Sequence, residues 1–258
     1  MMSFVLETRG LRKHFGGLIA VNDVDFRITP NETVGIIGPN GSGKTTFFNL
    51  LSGLFPPTAG TIILFGEEIT DLPSNRRVLK GMVRTFQLVS VFNSMTVWEN
   101  LVLSSLRFRT EPLSEWKFLT VSARSKTVQE DCYRAMEVVG LRGKASAMTS
   151  ELSYGEKRML EIGIALSLKP RLLLLDEPLS GLSDLEISEL LDILVRVRKD
   201  LTLIMIEHKL SKIVNLVDRM CVMNDGSFIC EGLPNQVLDD QTVRECYWGK
   251  GEMNLEGN

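Results

Sequence analysis

Two hydrophobic periods alternate along the chain, and the places where they change mark its organisation. From Phe4 to roughly Ile69, short runs such as Val24, Phe26 and Ile28, and then Thr61 to Phe65, predict antiparallel strands. Between Leu88 and about Ala165 the spacing becomes helical. Val97, Leu101, Val102 and Leu106 repeat at three and four positions, as do Val128, Cys132, Ala135, Met136 and Val139. Beyond them, strand and helix alternate again. Leu172 to Leu175 reads as a strand buried on both faces, Leu185 to Val197 as an amphipathic helix, and Leu201 to Ile206 as another buried strand. Parallel strands joined by helices are the economical architecture for such an alternation. The pattern predicts an α/β fold, with a helical unit at 88–165 inserted between 1–87 and 166–248, and a loose tail at 249–258.

The strand reading Val34 to Ile37 runs into Gly38-Pro39-Asn40-Gly41-Ser42-Gly43-Lys44-Thr45, followed by Thr46, and a helix reading begins at Lys44. Glycines at 38, 41 and 43 let successive backbone N–H groups turn toward an anion, and the helix start adds partial positive charge to it. Lys44 is the mobile cation for the phosphates, and the Thr45 hydroxyl is a ligand for the Mg²⁺ that accompanies them. A glycine-rich turn with a chance lysine would not carry the strand and helix on either side. The loop therefore predicts that the chain grips a nucleoside triphosphate.

The apolar run 172–175 ends in Asp176 and Glu177. Alone, two acids after a strand are usually a solvated strand end. In a chain with a phosphate loop, Asp176 is expected to hold the Mg²⁺ shell and Glu177 to polarise the attacking water, because adjacent strand residues face opposite sides. A third cluster, Leu152-Ser153-Tyr154-Gly155-Glu156, opens the helical run Lys157 to Leu168. Ser153 with Glu156 three residues on is a capping box. A capped helix start is also an anion site, so both readings stand together, with Glu156 serving the cap.

These clusters, together with Gln87 in Arg84-Thr85-Phe86-Gln87, the turn Ser180-Gly181-Leu182-Ser183-Asp184 and His208, occur in an order and spacing that resemble the ATP-binding subunits of ABC transporters. More narrowly, Phe15-Gly16-Gly17-Leu18, Ala20-Val21-Asn22-Asp23-Val24, Met95-Thr96-Val97-Trp98-Glu99-Asn100-Leu101 and Leu160-Glu161-Ile162 resemble the branch that serves branched-chain amino-acid importers. Urea/amide importers and lipopolysaccharide-export ATPases are near that branch. The resemblance implies a P-loop NTPase core with a parallel sheet, an N-terminal antiparallel β subdomain and an inserted helical subdomain. It implies ATP and Mg²⁺ as cofactors and a head-to-tail pair of ATPase subunits. In such a pair Ser153, Tyr154, Gly155 and Glu156 meet the nucleotide of the other subunit, and Asp184 links the two sites. It further implies that Gln87 contacts Mg²⁺ or the lytic water, that His208 hydrogen-bonds the γ-phosphate and that Phe15 stacks on adenine. Without the resemblance, Phe15 reads as a core strand residue. The implied partners are transmembrane permease subunits and, through the complex, a solute-binding protein. The implied location is the cytoplasmic face of the inner membrane.

Three positions depart from the family pattern. Glu156 stands where glutamine is usual and brings a carboxylate near the triphosphate, Ser183-Asp184 stands where the branch has Asn-Pro, and Gly163-Ile164 replaces Ala-Arg. None touches Lys44, Asp176, Glu177 or His208, so an active ATPase is expected. Phe86, Leu88, Val91, Phe92 and Met95, apolar beside Gln87, are the expected docking groove for the membrane partner. The basic and aromatic stretch Arg107 to Lys126 reads equally as a surface near lipid headgroups and as a solvated helical hairpin.

Composition narrows the remaining classes. With 258 residues, 44% of them hydrophobic, the chain can bury one substantial core. Its longest apolar runs are strand-length, too short to span a bilayer, and its first residues do not read as an export signal. Cysteines 132, 221, 230 and 246 form no C-x-x-C pair and predict neither a zinc site nor a disulfide frame. A net charge of -3 gives no electrostatic footprint for nucleic acid. A soluble ABC protein acting on ribosomes or DNA is a rival reading. Such proteins usually carry two nucleotide units or a coiled-coil insertion, and the motif set here occurs once without sustained heptads.

Overall fold

The computed structural model describes residues 4–87, 89–109 and 126–248. Leu88, the interval 110–125 and the tail 249–258 lie outside the described residues, and with them one residue of the expected docking groove and most of the basic and aromatic stretch.

Two sheets stack. The smaller is antiparallel and contains β1 (Leu6–Phe15), β2 (Leu18–Ile28), β4 (Ala59–Leu64) and β5 (Glu67–Glu68), in the order β2-β1-β4-β5. The larger contains β3 (Thr33–Ile37), β6 (Met82–Arg84), β7 (Leu172–Asp176), β8 (Thr202–Ile206), β9 (Arg219–Asn224) and β10 (Ser227–Gly232), in the order β10-β9-β3-β8-β7-β6. Strands β9, β3, β8, β7 and β6 are mutually parallel. The edge strand β10 is antiparallel to β9, so the expected parallel sheet is mixed at one edge: the turn Asp225-Gly226 is a hairpin, with both residues at positive φ, and hairpins join only antiparallel strands.

Strands β3, β7 and β8 are buried along their whole length. Their alternation supplies both faces of the sheet with apolar groups. Leu172 and Leu174 join Val34, Ile36, Ile204 and Ile206 under the antiparallel sheet and α1 (Lys44–Ser52). Leu173 and Leu175 join Leu203 and Met205 on the opposite face. There the core continues into the helices α3 (Val97–Arg109), α4 (Lys126–Val138) and α5 (Tyr154–Ser167), and into α6 (Asp184–Val197). The residues read at helical spacing, among them Leu101, Cys132 and Met136, are buried on α3 and α4, and Val139 is buried just beyond α4. Complete burial of a leucine, valine or methionine side chain among them contributes about 1.5–3 kcal/mol.

Helix α2 (Ser74–Leu79) carries Arg77, whose guanidinium is buried over the C-terminus of α1. It donates to the carbonyls of Leu50 at 2.8 Å and Leu51 at 2.7 Å, and also to those of Leu72 and Thr70. A helix end leaves carbonyls without intrahelical partners, and a cation there also suits the helix dipole. Burial pulls this guanidinium down to about 10, partly opposed by Asp71. Short helices α7 (Leu210–Ile213), α8 (Pro234–Asp239) and α9 (Gln241–Trp248) complete the described chain.

Candidate functional site

The phosphate loop leaves the C-terminal end of β3 and enters α1, as the sequence predicts. Gly43 has φ 104°, and a Cβ there would stand 2.3 Å from the carbonyl oxygen of Ala20, so this position requires glycine twice over. The Lys44 ammonium is buried and donates to the carbonyls of Gly38 and Pro39, both at 2.8 Å, and to Ser42 Oγ at 3.2 Å. Burial lowers its pKa, against the pull of the carboxylates of Glu177 and Asp176. A cavity of about 300 Å³ opens on the loop, where Asn40, Gly41, Lys44, Thr45 and Thr46 face Glu177 and His208.

Strand order makes that convergence possible. Strand β8 lies between β3 and β7, so the residues following β8 fall between the phosphate loop and the end of β7. Asp176 is the last residue of β7, and Glu177 turns out of the strand with φ 46°. Its two carboxylate oxygens are divided. Oε1 meets His208 Nε2 at 3.1 Å, and Oε2 accepts from Gln87 Nε2 at 2.9 Å. Three residues far apart in sequence, each predicted for the site, thus touch. The His208 turn is anchored beneath by Glu207, whose buried carboxylate accepts from the N–H groups of Leu179 at 2.7 Å and His208 at 3.1 Å. Burial raises the pKa of Glu207.

Asp176 is buried against Arg84. The guanidinium gives 2.7 Å to Asp176 Oδ2, 2.6 Å to Asn49 Oδ1 and 3.0 Å to Ser52 Oγ. Asp176 Oδ1 is buried with no hydrogen-bond partner among the described residues. An oxygen left this way fits a cation or its water. The other donors are also hard oxygens, the Thr45 hydroxyl and the Gln87 amide, which is the set that suits Mg²⁺. Among the described residues no group of three His, Cys, Asp or Glu converges. Mg²⁺ is commonly held by one or two carboxylates, with water and substrate phosphates completing its shell, and Asp176 supplies one such carboxylate.

Two predicted contacts lie apart from this cavity. Phe15 is 44% exposed at the end of β1, so it is not a core residue; its ring stands edge-on to Phe55, with centroids 5.9 Å apart. Leu18 and Ile19, across the turn from it, line the cavity. Ser153 to Glu156, expected to meet the nucleotide of a second subunit as the signature of the family, do not line it either. Ser153 caps α5, accepting from Glu156 N–H at 3.2 Å while the Glu156 carboxylate accepts from Ser153 N–H at 2.9 Å and pairs with Lys144. The carboxylate that stood out as a departure is therefore turned back into its own helix. The Lys144 bond holds its pKa below the ordinary carboxylate range. Tyr154 covers Gly181, where a Cβ would come within 2.7 Å of its ring, and Gly155 lies under Glu186. Asp184 is exposed and pairs with Lys212 at 2.9 Å.

Beside Gln87 runs an apolar groove of about 260 Å³ between α2 and α5, lined by Val78, Met82, Val83, Phe86, Ile164 and Leu168. Phe86 belongs to it as expected, and Phe92 is exposed. Val91 packs on the core. Sequence reasoning missed the far wall on α2 and α5. It also missed Arg84, Glu207, Arg158 and Arg77, charged groups whose partners lie tens of residues away.

A family profile described as ABC transporter matches residues 21–180. The chain belongs to the ABC transporter family. It is an ATP-binding, ATP-hydrolysing subunit of that family, without a helix long and apolar enough to cross a membrane among the described residues. It is 38% identical over 250 residues to the high-affinity branched-chain amino acid transport ATP-binding protein BraF of Pseudomonas aeruginosa, covering 95% of this chain and 98% of that one. It is 38% identical over 251 residues to LivG of Escherichia coli K12, a protein of the same description, with the same coverage. The lipopolysaccharide export system ATP-binding protein LptB of Haemophilus influenzae is 32% identical over 247 residues, 95% of this chain and 98% of that protein. Among solved structures, an ABC-transporter ATP-binding cassette in its ADP conformation superposes with a TM-score of 0.85 at 29% identity, covering 97% of this chain and all of that one. A nucleotide-free cassette gives 0.82 at 30% identity, covering 96% of this chain and all of that one.

Proposed function

We propose that this subunit powers the import of branched-chain amino acids across the cytoplasmic membrane, docked at the membrane face on permease subunits that work with a solute-binding protein. The observation that carries the reading is the convergence of Lys44, Glu177 and His208 on one cavity, with Gln87 bonded to Glu177, in a chain whose relatives along nearly their whole length include amino-acid transport ATPases.

Each step falls to a particular group. The glycine-lined amides of 38–45 and Lys44 bind the β- and γ-phosphates. Thr45, Asp176 and Gln87 would hold Mg²⁺, which supplies charge stabilisation when bound. Glu177, fixed between Gln87 and His208, orients water in line with the γ-phosphate, and His208 hydrogen-bonds that phosphate. Phe15 is the proposed adenine contact. Ser153, Tyr154, Gly155 and Glu156 at the start of α5, with Asp184, complete the site of a second ATPase subunit, identical or paralogous. In this reading 1–87 with 166–248 is the ATP-binding core, 88–165 is the inserted unit that carries the signature, and the groove beside Phe86 receives the permease.

The test is co-purification with the membrane partner, followed by ATPase assays with leucine-type amino acids, urea and lipopolysaccharide. Stimulation by the amino acids is expected. Stimulation by lipopolysaccharide alone would transfer the assignment to export, the reading that the likeness to LptB favours.

A further inference from the structure

Helix α5 carries a buried ion pair that the site described above does not use. Arg158 and Glu161 lie one turn apart, with side chains 0% and 7% exposed, and Nη1 of Arg158 meets Glu161 Oε2 at 2.7 Å. Their remaining hydrogen bonds go to one place, the backbone of the Gln87 loop. Arg158 Nη1 donates to the carbonyl of Phe86 at 2.9 Å and Nη2 to that of Gln87 at 2.8 Å. Glu161 Oε1 accepts from the N–H of Phe86 at 3.2 Å, and the carboxylate also takes a backbone hydrogen bond from Ser90. Two side chains of the signature helix therefore clasp the loop before and after the glutamine.

We propose that Arg158 and Glu161 are positioning residues that fix the Gln87 side chain on Glu177 by fastening its backbone to the signature helix. Desolvating a guanidinium and a carboxylate is costly, and hydrophobic residues of similar volume serve stability as well or better. Packing alone gives no reason for a charged pair here, whereas the planar fork of arginine spans two neighbouring carbonyls as no apolar side chain does. Residues 158 and 161 sit one to two turns beyond Ser153 on the same rigid helix. Gln87 and the helix start that bears Ser153 are thereby held in one register. The proposal rests on the reading of Gln87 as a group that acts with Glu177 in hydrolysis.

The experiment is a kinetic cycle on the full chain with its membrane partner: parent, Arg158→Met/Glu161→Leu, Gln87→Ala, and the combination of all three. The paired apolar replacement leaves no buried charge alone, and Arg158→Lys, which keeps the charge but reaches one carbonyl at a time, serves the same cycle should the paired variant melt early. Displacing a catalytic group by about 1 Å costs on the order of 100-fold. The expected result is a kcat lower by roughly 10- to 100-fold with KM for ATP within about twofold of the parent. The loss should vanish when Gln87 is already alanine, because the pair then has nothing left to position. A loss of the same factor in the Gln87→Ala background, or an unchanged kcat in the parent background, overturns the role of the pair while leaving Gln87 in place. A Gln87→Ala protein that turns over at the parental rate sinks the reading of Gln87 itself, and the proposal with it.

Discussion

Arg84 holds one oxygen of Asp176 at 2.7 Å while the other oxygen of the same buried carboxylate takes no hydrogen bond among the described residues. The arginine is itself fixed, by Asn49 and Ser52 from α1 and by the rings of Phe48 and Phe86, whose centroids lie 5.6 and 5.3 Å from its Cζ. It therefore ties the strand end that bears Asp176 to the helix that begins at Lys44. Removing one member of such a pair strands a buried charge. Arg84→Met should lower the unfolding free energy by about 3 kcal/mol or more, and Arg84→Met/Asp176→Leu should recover most of that loss. Urea unfolding of the two variants measures both. A double variant no more stable than the single one would show that the pair is not energetically coupled.

Glu177 is the only carboxylate in contact with both Gln87 and His208 among the described residues. Glu177→Gln keeps the shape of the side chain and removes the carboxylate proposed to orient the water. Turnover should fall by roughly 10²- to 10⁴-fold, while binding of a fluorescent ATP analogue stays near parental affinity, since Lys44 and the loop amides are untouched. Hydrolysis at the parental rate would remove Glu177 from the chemistry.

The sequence made visible the parts of this site that are local. The phosphate loop, the acidic end of β7 and the capping box of α5 each need only a few neighbouring residues, and each lies where its pattern placed it. Strand periodicity placed β7 and β8 to within a residue. What could not be read are the long-range polar contacts. Arg84 reaches Asp176 across 92 positions, and Arg158 reaches Phe86 across 72. Nothing in the spacing of either arginine distinguishes it from a solvated surface charge. Phe15 shows where periodicity alone misleads: without the family resemblance an aromatic residue at a strand position reads as core, yet at the hairpin end of β1, where Phe15 pairs with Leu18, its ring is exposed. The antiparallel β10 edge was missed because parallel and antiparallel strands share the same period.

Acid should expose the capping box at the head of α5. Lys144 and the Ser153 N–H hold the folded-state pKa of Glu156 below its unfolded value of about 4.5. A carboxylate with a lowered folded pKa contributes stability above the unfolded value and loses it as pH falls through the folded one. At pH 7, Glu156→Gln keeps a side chain able to close the capping box but loses the ion pair with Lys144, so it should cost the protein about 0.2–1 kcal/mol of stability, the range of an exposed pair. The gap between variant and parent should shrink as pH falls below 4.5 and close once Glu156 is protonated in both states. Denaturation curves at several pH values test the sign. A gap that widens toward acid would contradict the bonding seen here.

The placement of Ser153 outside the Lys44 cavity leads to a complementation test. Within one subunit the signature helix starts against the 180–186 turn, and Ser153, Gly155 and Asp184 contribute nothing to the pocket that Lys44 lines. If their ligand is the triphosphate on a second subunit, a lesion at Lys44 and a lesion at Ser153 disable different halves of each composite site. Lys44→Ala protein and Ser153→Arg protein should each be inactive alone. Mixed, they form pairs in which one site joins the intact Lys44 of one chain to the intact Ser153 of the other, so turnover reappears. The recovered rate should depend on total protein concentration, because pairing is bimolecular, and it should be lost when both substitutions sit on the same chain and the other chain is omitted. No recovery in the mixture, together with full activity from a parent chain shown to be monomeric by light scattering, would place the whole catalytic apparatus within a single subunit.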